Sequence, residues 1–375
     1  MNVKIEFRAL PELLALDIGD TWHEYEVVSS IPGSRQAIIA LPAEDVNEAG
    51  VLLRVYANEW SDWRPEHENY QVLGFPDVGA LSGVLSVGDT FPLHGLTLDV
   101  LSRGKRGEGA VLAVCDTGVD SQHSFFQGVL VTGDLNDGHG HGTHCASTAG
   151  GSKGIASKAH ILSFKVLSDS GSGSEASVAN GIRAAAEAGA DVISLSLGGG
   201  SSQVIDDACT YAKTLGSLVI VAAGNTPNAP IGSPARAADV IVLACDRSDQ
   251  PASFTSGRNW SNANRTYGNG VSIEAAAANT LNGTAVMSGT SMATPHLAGL
   301  AALLRASGMS RTDALAYLFN HRTMPPESPG KTFMLVDFGG VIPPPTPSQP
   351  YVVYNKIGFS DGTEWFLAIQ PPPSA

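Results

Sequence analysis

The chain has 375 residues, 43% of them hydrophobic and only 15% charged, against about 25% charged in an average soluble domain. That composition excludes a disordered acidic tail, and the length suffices to bury a large core. The net charge of −14 also argues against nucleic acid as a partner, because phosphate binding needs a basic surface. The charge is unevenly placed. Residues 1–95 hold 5 Lys+Arg and 15 Asp+Glu, a net of −10, and residues 96–375 hold 17 and 21, a net of −4.

Residues 1–78 read as a small acidic unit, α+β or mostly β. β-branched or alternating runs occur at Val3–Phe7, Tyr25–Val28, Gln36–Leu41 and Val51–Tyr56, punctuated by Pro32-Gly33 and Pro42. Trp22, Trp60 and Trp63 favour a packed unit over a loose leader. The first twenty residues are interrupted by Glu6, Pro11 and Glu12 and do not read as a secretory signal. No run approaches the ~18 apolar residues of a membrane span, so no membrane partner is expected and localisation stays open. The four cysteines, Cys115, Cys145, Cys209 and Cys245, are too few for a disulfide scaffold and read as free buried thiols.

Residues 79–340 read as one α/β body. Short unbroken apolar runs recur at Ala110–Cys115, Ile161–Leu167, Asp191–Leu197, Ser217–Ala223 and Val240–Ala244. Helical stretches lie between them, clearest at Ser174–Ala188, with Gly189 placed to cap it. This alternation predicts a doubly wound parallel sheet sandwiched by helices. Ligands bind such sheets beyond the carboxyl ends of the strands, here just after Cys115, Leu197 and Ala223. Residues 341–375 read as a stiff Pro-rich linker, VIPPPTPSQP, followed by a β-hairpin tail around Ser360-Asp361-Gly362.

Three motifs stand where that sheet would bind a ligand. CDTGVD places Asp116 at a strand end; alone, Asp116 reads rather as the cap of a loop or helix. GHGHGTHC offers two readings. His141 is a general base at a Gly-rich helix start, or His139, His141, His144 and Cys145 form a metal cluster. The spacing matches no common metal pattern, so no metal ligand is assigned. SGTSMATPHLAGLAALL places Ser291 at the start of an apolar helix whose first turn is expected to carry Pro295. A serine hydroxyl needs a base, and the base needs a carboxylate to fix its tautomer. The order Asp116, His141, Ser291 is that of one known triad arrangement. VIVAAGN ends in Asn225, whose amide can donate to an oxyanion together with the Ser291 N–H.

VCDTGVD, GHGTHCAST, FKVLSDSGSGSEASVANGI, VISLSLGGGSS, VAAGN and MSGTSMATPHLAGLAALL together resemble the subtilisin-like serine proteases, most of all the proteinase K branch. The resemblance spans about residues 107–320. It implies a subtilisin-like fold and a serine endopeptidase with Asp116, His141, Ser291 and Asn225 as its catalytic residues. It further implies that Ser196-Leu197-Gly198 and Gly171-Ser172-Gly173 pair with an extended peptide from either side. Ala222-Ala223-Gly224 would line the pocket beside the scissile bond together with Leu197-Gly198-Gly199. That pocket carries no charge, which implies broad specificity with apolar or aromatic P1 residues.

There are departures. Glu274-Ala275-Ala276-Ala277-Ala278-Asn279 stands where an Ala-Pro-Gly usually precedes the serine motif. The loop after GTHCASTAGG is short and lacks an insertion that carries calcium in many relatives. No cofactor is required for the chemistry, and structural calcium is left unassigned. Cys145 is expected to pack beneath the His141 ring. The expected partner is a peptide or protein substrate. A processing protease, a transpeptidase that matures one partner and a non-catalytic binding protein on the same fold remain alternatives. The acidic N-terminal unit has three readings: an inhibitor of its own catalytic domain, a docking domain for a partner protein, or a solvated face.

Overall fold

The computed structural model describes residues 2–7, 17–22, 25–32, 34, 36–40, 60–66, 70–76, 84–86, 88, 106–320, 322–323, 331–332, 353–358 and 364–369. Residues 1–340 form one compact unit and residues 341–375 another.

At the N-terminus, β1 (Asn2–Phe7), β2 (Thr21–Trp22), β3 (Tyr25–Ser30), β4 (Gln36–Ala40) and β5 (Trp60–Pro65) form a sheet in the order β2-β3-β4-β1-β5. Its neighbours are antiparallel. Among the described residues the regular elements of this unit are all strands. The run at Val51–Tyr56 lies outside the described residues. Three short strands follow: β6 (Tyr70–Val72), β7 (Phe75–Pro76) and β8 (Leu85–Ser86).

The body is built on β9 (Val111–Asp116), β10 (Val131–Gly133), β11 (His160–Lys165), β12 (Ser172–Gly173), β13 (Val192–Leu195), β14 (Leu197–Gly198), β15 (Leu218–Ala222), β16 (Val240–Cys245) and β17 (Arg265–Asn269). It adds β18 (Ile273–Ala276), β19 (Thr284–Ser288), β20 (Arg322–Thr323) and β21 (Lys331–Thr332). The main sheet runs β10-β11-β9-β13-β15-β16-β17-β21-β20, with all pairs from β10 to β21 parallel. The helices of this body include α1 (His141–Gly150), α2 (Glu175–Glu187), α3 (Gln203–Thr214), α4 (Thr290–Ala306) and α5 (Arg311–Asn320).

The unbroken apolar runs follow from burial on both faces. Val219, Val221, Ile241 and Leu243 belong to the apolar cluster that includes Val178 and Ile182 of α2 and Ile205 of α3. Their alternate neighbours Leu218, Ile220, Val240 and Val242 belong to the cluster that includes Leu297, Leu300 and Leu304 of α4. Helices on both sides of a parallel sheet make the body doubly wound, as the sequence predicts. Ser174 caps α2 by accepting from Ser177 N, and Gly189 follows the helix at φ +80°.

The N-terminal sheet meets α2 and α3. Ile31 and Ile38 join the apolar cluster of those helices. Lys4 and Glu175 form a buried ion pair at 2.8 Å. Glu66 Oε1 accepts from Ala176 N in the first turn of α2 at 2.6 Å. Val28 O accepts from Asn180 Nδ2, and Ser30 O accepts from Arg183 Nη1. Arg183 also pairs with Asp17, and Ser34 donates to Asp207 of α3.

In the C-terminal unit, β22 (Val353–Gly358) and β23 (Glu364–Ile369) pair antiparallel from Val353↔Ile369 to Gly358↔Glu364, the hairpin that the sequence predicts. The linker 341–350 lies outside the described residues.

Candidate active site

β9 ends on Asp116, which points to the adjacent α1. Asp116 Oδ1 accepts from His141 Nδ1 at 2.8 Å and from Thr117 N at 2.8 Å. That bond places the Nδ1 proton and leaves Nε2 as the free base. Burial opposes a charge on His141, but the Asp116 carboxylate beside it lifts its pKa well above the usual value. Asp116, His141 and Ser291 are all buried.

α1 starts at His141 after Gly140, which has φ +94° and no capping side chain. Asp137 supplies the cap from further back. Its Oδ1 accepts from Gly140 N, His139 N and Thr117 Oγ1, and its Oδ2 from Thr143 N and Thr143 Oγ1. One carboxylate therefore ties the end of β9 to the start of α1. Asp137 stands just outside the GHGHGTHC motif. Its signal is an acceptor four residues ahead of a helix start that carries no cap of its own.

The four-residue metal cluster does not assemble. His144 Nε2 instead lies 3.1 Å from Ile273 O and 3.2 Å from Ala285 O. Burial pushes its pKa down to about 4, so it is neutral. Asp116, His141 and Cys145 do offer ligand atoms within 4.8 Å of one another. The His141 Nδ1 proton is already committed to Asp116, and burial raises the Cys145 thiol, which makes this a poor donor set.

Ser291 is the second residue of α4. Pro295 lies beyond the first turn, at the sixth helical position, which corrects the sequence expectation. Proline has no N–H, so Ser291 O loses its helical donor. Two side chains replace it: Ser196 Oγ donates at 2.9 Å and Cys145 Sγ at 3.6 Å. Cys145 Sγ is also 3.9 Å from His141 Nδ1, as its expected packing requires. Ser291 Oγ donates to Ser196 O at 2.7 Å, and among the described residues His141 Nε2 has no hydrogen-bond partner.

Asn225 follows β15 and Gly224, whose φ is +109°. Its Oδ1 accepts from Thr290 N at 2.9 Å and Thr290 Oγ1 at 3.0 Å, which fixes the amide and aims Nδ2. Nδ2 donates to Leu73 O at 2.7 Å, and Ser291 N donates to the same oxygen at 3.1 Å.

Leu73 reaches that position because β6 runs between β12 and β14. Ser172 pairs with Gln71 and Gly173 with Tyr70 on one side. Leu197 pairs with Val72 and Gly198 with Gln71 on the other. Val72 N donates to Gly171 O, and Leu73 N donates to Ser196 O. Gly198 faces the Leu73 side chain: a Cβ added there would stand 2.9 Å from Leu73 Cδ1. Ala222 and Ala223 are buried at the end of β15, and Gly224 N donates to Thr290 Oγ1. Beyond Leu73, a Cβ on Gly74 would stand 2.8 Å from His141 Nε2 and 2.9 Å from Met292 Sδ. The Leu73–Gly74 bond thus lies between the Asn225/Ser291 donors and His141.

A subtilase-family profile matches residues 107–323, more than half of the chain. The chain belongs to the subtilase family. This subtilase is 42% identical over 238 residues to thermitase of Thermoactinomyces vulgaris, covering 57% of its own length and 81% of thermitase. It is 43% identical over 227 residues to the subtilisin-like serine protease Pen c 1 of Penicillium citrinum, covering 56% of each chain. It therefore spans little more than half the length of that fungal relative. A solved cold adapted subtilisin-like serine proteinase matches with a TM-score of 0.58 and 34% identity, over 68% of this chain and 99% of that one. Family and relatives make the protein a subtilisin-like hydrolase. Sequence motifs alone did not identify Tyr70–Leu73 as the segment in the cleft, because a bound strand needs only main-chain pairing.

Proposed function

We propose that the protein is a serine endopeptidase of broad specificity with an apolar P1 preference, and that its own Leu73–Gly74 bond is its first substrate. The supporting observation is the Leu73 carbonyl oxygen, which accepts from both Asn225 Nδ2 and Ser291 N. Donors converging on one carbonyl are what a developing oxyanion needs.

In this mechanism the Ser291 hydroxyl turns from Ser196 O toward His141 Nε2. Ser291 Oγ attacks the Leu73 carbonyl carbon while Nε2 takes its proton. Asp116 holds the imidazole and stabilises its charge. The tetrahedral oxyanion is held by Asn225 and Ser291 N. Collapse breaks the bond to Gly74, whose nitrogen takes the proton from His141. Water then enters through the same base and releases the Leu73 carboxylate, restoring Ser291. No step requires a metal or cofactor. Leu73 against Gly198 supports the apolar P1 preference.

The N-terminal unit in this reading is an inhibitor carried in cis. Its β6 fills the strand-pairing groove, and its sheet is joined to α2 by the Lys4–Glu175 and Glu66–Ala176 contacts. Substrate peptides would take the place of β6, paired to Gly171, Ser172 and Gly173 on one side and to Ser196, Leu197 and Gly198 on the other.

The test is to express wild type and Ser291→Ala, map new N-termini by mass spectrometry, and follow casein hydrolysis. Wild type is expected to yield a fragment beginning at Gly74 and to digest casein, while Ser291→Ala does neither. An intact, inactive wild type would instead favour a binding protein on this fold.

A further inference from the structure

We propose that the subsite four residues upstream of the cleaved bond selects a phenol, so that preferred substrates carry tyrosine at P4. This rests on the endopeptidase reading above and names its substrate class more closely.

With Leu73 at P1, Tyr70 occupies P4. Its backbone is held by pairing with Gly173 of β12. Its side chain is buried in the apolar cluster that includes Ala176, Leu197 and Ile205. Burial of that kind rewards any large apolar side chain. The far end of the pocket is polar. Tyr70 Oη donates to Gly200 O at 2.8 Å, and the Ser202 side chain stands beside the same phenol.

Both partners are fixed by other bonds. Gly200 O also accepts from Ser233 N, and Ser202 N donates to Ser233 Oγ. Ser202 Oγ caps α3 by accepting from Ile205 N. The clamp therefore belongs to the body, and it would stand ready for any peptide that replaces β6. Burial, with the Glu175 charge nearby, raises the phenol pKa, so the ring arrives as a hydrogen-bond donor. Phenylalanine fills the same volume but leaves the second lone pair of Gly200 O without the phenol. Sites that hydrogen-bond a hydroxyl reject the analogue that lacks it more sharply than apolar pockets reject a change of size.

The test uses the full chain after self-processing and three acetylated p-nitroanilides, Tyr-Gln-Val-Leu, Phe-Gln-Val-Leu and Ala-Gln-Val-Leu. The expected kcat/KM for the tyrosine peptide exceeds that for the phenylalanine peptide by about tenfold or more, and both exceed the alanine peptide. The Tyr:Phe ratio should fall in Ser202→Ala. Because each ratio is measured within one protein, it does not depend on how much of the variant folds. A wild-type ratio near one, with both peptides cleaved, overturns the P4 inference and leaves the endopeptidase reading standing. A ratio unchanged by Ser202→Ala removes Ser202 from the clamp. Cleavage of none of the three overturns both readings.

Discussion

Asn225 is aimed by a neighbour on another element: Thr290 gives its Oδ1 two donors, so only Nδ2 is free for Leu73 O. Asn225→Ala should lower kcat by about 10²–10³, the size known for the oxyanion asparagine of subtilisin itself, with KM little changed. Steady-state kinetics on a peptide amide would check this, and a loss confined to KM would contradict it. The Asp116–His141 pair makes a second prediction. Asp116 raises the His141 pKa, and the base works only when neutral, so activity should fall with decreasing pH through a value above the ordinary 6.5. Asp116→Asn should move that acid limb to lower pH and cost about 10⁴-fold in kcat. A pH–rate profile in which the limb stays put would contradict the assignment. These residues were legible in the sequence because each sits in a short motif of demanding chemistry. Asp137 was not, because its role exists only once β9 and α1 lie side by side.

Among the described elements, α2 makes several of the contacts that hold the N-terminal sheet. Its first turn receives Glu66 and Glu175–Lys4, and Arg183 farther along holds Ser30 O and Asp17. A carboxylate at a helix N-terminus complements the positive end of its dipole. Arg183 holds the Asp17 pKa below its usual value by a hydrogen bond. A lowered carboxylate pKa stabilises the docked form above the unfolded value and loses that effect as pH falls through the folded one. The sheet should therefore loosen as pH drops below about 4. Hydrogen exchange on uncleaved Ser291→Ala would show this as lower protection, relative to the intrinsic exchange rate at each pH, in Tyr25–Ser30 and Gln36–Ala40 at pH 3. Equal protection at pH 3 and pH 7 would contradict it. The parallel strands of the body were readable from sequence because burial on both faces leaves uninterrupted apolar runs. β5 was not, because WSDWRP has the composition of a loop and becomes a strand only by pairing with β1. Pro295 was misplaced by a turn because Ser196 and Cys145, distant in sequence, supply the donors that make a proline tolerable there.

For the whole molecule, the proposed self-cleavage would be unimolecular, because Leu73 O already accepts from Asn225 and Ser291 N of the same chain. Conversion should be first order, with a half-time unchanged over a hundredfold range of protein concentration. A half-time that shortens with concentration would mean that one molecule cuts another. Charge alone sets an acidic N-terminal segment apart from a nearly neutral body, whereas residues 1–340 form one compact unit. That the two are joined through the cleft was not visible in charge, because the joining strand is read by its backbone. Downstream of the cut, Leu85 is buried in a cluster with Cys145, Ile273 and Met292, and its N donates to Ser272 O. An amine released at Gly74 would therefore be leashed: eleven residues span at most about 40 Å, and short tethers hold their ends at roughly millimolar effective concentration. Such an amine competes with water for the acyl-enzyme, so the bond should be remade and recut before the halves part. Recapture returns the intact chain and so slows net release of the Leu73 carboxylate; Leu85→Ala, by loosening the leash, should raise the rate at which the Gly74 N-terminus accumulates, and an unchanged rate would contradict this.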